Sequence, residues 1–237
     1  MKNQYFGDIN DYRKYGILRI LARETRLRLR VCWMLTPDDG RSDGRFITYL
    51  HQPERWRSYD PPLFDALRES VLLRGERHVA RAAMPGIIPA ASFVEELLTD
   101  EPVRRTGYFK KLERTTTSGG LLFFDQDNGM EVRSVPKGRR GSQKYLYWDE
   151  AVHFYQRGST LLIYQHYPRV ERRSYHRRMV NTIRRAIGPV KGSILATAWA
   201  AFFLIPQSNH STVCNKAVRC IAGQWKDQID VLDFSTR

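Results

Sequence analysis

Four short apolar runs decide most of what this chain can fold into. "VCWML" (31–35), "GLLFFD" (120–125), "STLLIYQHYP" (159–168) and "TAWAAFFLIP" (197–206) are too brief for buried helices. Their apolar stretches are continuous rather than alternating, the pattern of strands buried on both faces of a sheet. A fifth, weaker strand is expected around 91–95 in "GIIPAASFVEEL". Between the runs lie helical segments: 9–25, "PPLFDALRESVLLRGE" with Pro at its start and Gly near its end, 102–116, the basic stretch 169–188, and a C-terminal helix ending near Trp225. In the first of these, Ile17, Leu18, Ile20 and Leu21 are expected on one side and Arg13, Lys14, Arg19 and Arg23 on the other. Strand and helix in alternation give an α/β domain, a mostly parallel sheet with helices on both faces and a late strand antiparallel. Hydrophobic residues make up 42% of the 237, enough for one sizeable core, so residues 1–237 are expected to form a single domain.

In open sheets of this kind ligands sit beyond the carboxyl ends of the strands. Three such ends carry polar residues here: Thr36–Gly44, Asp125–Gly129 and Gln165–Arg169. The second begins Asp125-Gln126-Asp127-Asn128, with carboxylates two residues apart that share a side if the strand continues. Hard oxygen ligands so placed suit Mg²⁺, with Asp39 and Glu131 as further ligands, and Lys137 or Lys144 could then face a scissile phosphate. The competing view makes Asp127-Asn128-Gly129 a tight turn, since Asn and Gly are usual turn formers. His166 follows a buried strand and is a lesser candidate for proton transfer.

The formal net charge is +14. Clustered Lys and Arg favour a polyanion, because they displace counterions from a phosphate backbone. "RRTGYFKK", "KGRRGSQKYLYW" and "RVERRSYHRRMVNTIRRA" interleave cations with aromatic rings, a mixture suited to single-stranded or distorted nucleic acid, DNA or RNA. Arg139, Arg140, Lys144, Arg172, Arg173 and Arg177 are the candidate contacts, and a solvated basic surface without a partner is the plainer alternative. Cys32, Cys214 and Cys220 lack metal-knuckle spacing and are expected as buried free thiols in a reducing cytoplasm. The start of the sequence is too polar for a signal peptide, and "SILATAWAAFFLIP" too short to span a membrane.

Together, "GDINDYRKYGILRIL", "VCWML" with its Asp/Gly loop, "LLFFD" with its polar tail, "LLIYQHYP" and "AAFFLIP" resemble a branch of the S-adenosylmethionine-dependent methyltransferases. The nearest types are the large-subunit rRNA adenine-N6 methyltransferases and the three-Cys-motif partner proteins. "FGDINDYRKYG…LTPDDGRSDG…FDQDNG…KYLYWDE" also resembles a widespread bacterial family. The methyltransferase resemblance implies a Rossmann-like domain that transfers a methyl group to a base. It implies a cofactor loop at Thr36, Asp38, Asp39, Gly40, Asp43 and Gly44, with Glu95 or Glu96 at the ribose. By position, Asp125, Asp127 and Asn128 would orient the acceptor where that branch has Asp-Pro-Pro-Tyr. The chain keeps the first Asp and lacks the prolines and the aromatic, leaving Tyr145, Tyr147 or Trp148 to supply a stacking ring. A metal-dependent nuclease and a non-catalytic nucleic-acid-binding module remain the alternatives.

Overall fold

The computed structural model describes residues 1–37, 44–89, 91–116 and 118–235. Its elements are α1 (Ile9–Thr25), β1 (Leu29–Cys32), α2 (Pro53–Trp56), α3 (Pro61–Arg68), β2 (Ala91–Val94) and α4 (Pro102–Thr115). They continue with β3 (Leu121–Phe124), β4 (Gly129–Met130), β5 (Tyr145–Leu146), α5 (Trp148–Gln156), β6 (Thr160–His166) and α6 (Arg172–Ile187). The last are β7 (Ser193–Ala196), β8 (Ala200–Ile205), α7 (Ser211–Gln224) and β9 (Asp230–Asp233). Seven strands form one sheet in the order β2-β1-β3-β6-β8-β7-β9. The first four run parallel, and β8 enters antiparallel to both β6 and β7. This is the Rossmann-like α/β arrangement expected, antiparallel late strand included.

Side-chain alternation along these apolar strands builds two cores, one on each face. Val31, Trp33, Phe123, Leu162 and Phe202 pack with α1, α3 and α7. Cys32, Met34, Leu122, Phe124 and Ile163 pack with α4, α5 and α6. On the first face α1 and α7 approach so closely that a Cβ on Gly16 would stand 2.1 Å from Cζ2 of the buried Trp225.

Three sequence expectations change. The run "TAWAAFFLIP" holds the expected strand, β8, but a further strand, β7 (Ser193–Ala196), precedes it and makes the two a hairpin. Its turn is made by Thr197, whose Oγ1 accepts from Trp199 N and Ala200 N. The aromatic stretch "KYLYWDE" is not a loop: it pairs with Gly129–Met130 as β5 and then starts α5. Finally, α1 is not split into an inner and an outer side, because Arg13 and Lys14 are buried along with Tyr12 and Tyr15.

Candidate functional site

The parallel strands β1, β3 and β6 end at the same edge, so their polar tails converge there. The cavity at this edge has a volume of about 890 Å³ and takes Asp125–Asn128 from the end of β3, His166–Arg172 beyond β6, and Gly44. Thr36, following β1, donates through Oγ1 to Asp127 Oδ2 at 3.2 Å. The N-terminal turn of α1 adds Asp8, Asn10, Asp11 and Lys14 to the wall.

Lys14 is the residue that organises the floor. Its ammonium donates to Asp11 Oδ1 and to Asp125 Oδ2, both at 2.8 Å, and is only 5% exposed. Tyr15 donates to the other oxygen of Asp11 at 2.8 Å. Burial alone would pull the Lys14 pKa down, but the carboxylates of Asp11 and Asp125 outweigh it and the net shift is upward. Burial raises the pKa of Asp125, 2% exposed, from its ordinary value, against the pull of Lys14. Asp8 caps α1, accepting at Oδ1 from Asn10 N (2.8 Å) and Asp11 N (3.0 Å). Burial, with the Asp11 carboxylate adding to it, pushes the Asp8 carboxyl up to about 7.

Asp127 is committed in a different way. Besides Thr36 it lies 3.4 Å from the Met1 nitrogen and 3.7 Å from Lys2 Nζ. Thus Asp125 and Asp127 line one cavity, yet each already answers an amino group. Glu131, the further ligand expected for Mg²⁺, is exposed and accepts from the Trp148 backbone instead of joining them. Among the described residues no group of three or more His, Cys, Asp or Glu side chains is arranged to hold a metal ion.

Asp127 and Asn128 form a bend, and Gly129 begins β4. Gly129 has φ +118°, and a Cβ there would meet the Gln165 amide at 2.2 Å. Gln165 accepts from Met130 N at 2.8 Å, and Asn128 N donates to the Lys144 carbonyl at 2.9 Å. Asn128 itself is exposed at the cavity.

Of the loop expected to hold S-adenosylmethionine, only the flanks are described. Asp38, Asp39, Gly40 and Asp43 lie outside the described residues. Between β1 and Thr36 stand Trp33 and Met34, both fully buried, one in each core. The Met1 backbone bridges the strand ends there, its carbonyl accepting from Thr36 N (3.0 Å) and its nitrogen donating to the Asp125 carbonyl (3.1 Å). Glu95 and Glu96 are exposed and outside the cavity wall, and Glu96 pairs with Lys111. Gly44 is buried against Tyr5 with φ +81°.

The rings expected to stack from the following segment are also taken up elsewhere. Tyr147 is buried beneath the Arg105 guanidinium, 4.8 Å from its centroid, and donates to the Val135 carbonyl. Neither it nor Tyr145 or Trp148 lines the cavity. The rim instead carries Tyr5, Phe46, Tyr167, Val170 and Trp199. Phe46 is 61% and Trp199 56% exposed. Trp199 projects from the β7–β8 turn, a hairpin the apolar run alone conceals.

Of the expected cationic contacts, Arg172 lines this cavity, while Arg173 and Arg177 line the adjoining groove between α6 and β9. Arg139 and Arg140 are exposed on the loop before β5, away from the cavity wall. That loop is anchored by Asp100, which accepts from Gly141 N, Ser142 Oγ and Gln143 N. Lys144 touches the site only through its carbonyl.

Fold and site together define an α/β protein with a polar-floored, aromatic-rimmed cavity at the carboxyl ends of its parallel strands. No protein-family model matches the chain, and no curated protein matches it. Among the described residues no helix is long and apolar enough to cross a membrane.

Proposed function

We propose that this protein binds single-stranded or locally opened nucleic acid and receives a nucleobase in the strand-end cavity. The observation that carries this reading is the composition of the rim. Seven large apolar side chains are exposed among the described residues, and three of them, Phe46, Val170 and Trp199, border this one cavity. Apolar surface gathered at the mouth of a polar pocket marks a binding site rather than scattered exposure. Rings at the mouth offer faces on which a base can stack. Asn10, Gln126 and Asn128 on the wall match the hydrogen-bonding edge of a base. Arg169 and Arg172 stand beside the rings, where a phosphate would follow the base.

Fluorescence anisotropy with labelled single strands of DNA and RNA, set against a blunt duplex, tests the proposal. Single strands bind in preference, and Trp199→Ala weakens them by about 1–3 kcal/mol, the usual worth of one stacked base. Equal binding of duplex and single strand, indifferent to Trp199→Ala, rejects it.

A further inference from the structure

An exposed flank of α6, bordering the groove beside β9, carries charge that the strand-end cavity does not use. The helix holds six arginines and no Asp or Glu between Arg172 and Ile187. Tyr175, His176, Met179, Val180 and Ile183 are buried, which leaves Arg173, Arg177, Arg178, Arg184 and Arg185 exposed. At about 100° per residue, Arg173, Arg177 and Arg184 fall within about 40° of one another. The row they form is about 17 Å long from Arg173 to Arg184.

This row works against the helix. Arg173 and Arg177 are like charges four residues apart, a spacing that destabilises. Arg172 and Arg173 occupy the first turn, where the helix dipole disfavours cations. Among the described residues neither Arg173 nor Arg177 forms an ion pair, and Glu171, which attracts Arg173 from nearby, caps the backbone nitrogens of Arg173 and Ser174. Residues that break local rules without a compensating interaction are expected at functional surfaces.

The row also has a direction. Arg172 lines both the cavity and the groove beside α6, with its guanidinium 5.0 Å from the Tyr167 ring that the two share. We infer that the exposed arginine face of α6 is a track for the phosphate backbone of the single strand whose base enters the cavity. This rests on the nucleic-acid reading of the cavity and extends it. At a rise of about 3.4 Å per nucleotide in a stacked strand, the row spans about five phosphates. Asp230 and Asp233 on β9 form the opposite wall of the groove that Arg173, Arg177 and Arg184 border.

Two ligands separate the parts: a labelled trinucleotide, which reaches only the cavity, and a single strand of roughly fifteen nucleotides, which reaches both. In the R173Q/R177Q double variant, the longer strand is expected to bind at least about tenfold more weakly at low salt. Its log–log salt dependence falls by about 1.4, some 0.7 for each phosphate that the variant no longer neutralises. Trinucleotide binding stays unchanged. A longer strand that binds the variant as it binds the wild type overturns the track and leaves the cavity reading standing. If wild type binds neither ligand, the cavity reading falls with it. Displacement of the strand by polyglutamate as effectively as by unlabelled oligonucleotide of equal charge overturns the track in favour of an acidic protein partner.

Discussion

Asp8→Asn gives the sharpest test of the electrostatics at the cavity. The Asp8 carboxyl is 4% exposed and its pKa rises from 3.8 to about 7, through burial first and the neighbouring Asp11 carboxylate second. Between those two values the folded protein keeps a proton that the unfolded chain has released, so stability falls as pH rises. Three units at about 1.4 kcal/mol each make the loss about 4 kcal/mol between pH 4 and pH 8. Asparagine keeps an oxygen that can accept from Asn10 N and Asp11 N, and it is as good a cap as aspartate. Asp8→Asn therefore matches wild type near pH 4 and exceeds it by up to about 4 kcal/mol at pH 8. Urea denaturation across that range would show the midpoints diverging by about 1–2 M with rising pH. Two curves that stay parallel from pH 4 to 8 would show that Asp8 ionises normally, and the buried acidic turn would need another description.

Other perturbations bear on the same framework. Lys14→Met leaves Asp11 and Asp125 buried without their shared cation and should cost about 3–5 kcal/mol at neutral pH. The cost shrinks in acid as Asp125, whose pKa burial raises, takes up a proton, so denaturation at two pH values checks both statements. Gly16→Ala drives a methyl into Trp225. Overpacking of about 1–3 kcal/mol there outweighs the roughly 1 kcal/mol gain in helix propensity, and thermal denaturation should register a net loss.

The sheet was legible because parallel strands are buried on both faces, so "VCWML", "LLFF" and "LLIY" stand out as unbroken apolar runs. The edge where their tails meet followed from topology alone. The β7–β8 hairpin was hidden because its turn contains neither Gly, Pro nor Asn. Thr197 makes it through side-chain hydrogen bonds, and a threonine inside an apolar run reads as one more strand residue. With the hairpin went Trp199, the most prominent ring at the cavity after Phe46. The burial of Arg13 and Lys14 was equally hidden, since helical spacing cannot show that α1 is covered on several sides. A local hint existed: Asp11 and Lys14 lie three residues apart and can pair along one side of the helix.

What that pairing does to the site could not come from spacing, because Asp125 lies 111 residues from Lys14. Its consequence is a redistribution of chemistry within the cavity. The apolar strand carried Asp125 to the place where such sheets bind ligands, as its position suggested. Once there, Asp125 balances a buried ammonium, and Asp127 holds Thr36 and the first residues against the strand ends. Both carboxylates therefore tie α1 and the chain start to the sheet and have little capacity left for a cation or a substrate. Polar groups with capacity to spare come instead from Asn10 in the first turn of α1, whose Oδ1 has no partner, and from the exposed Asn128. The polar groups still open on the wall thus come from both "GDINDY" and "FDQDNG".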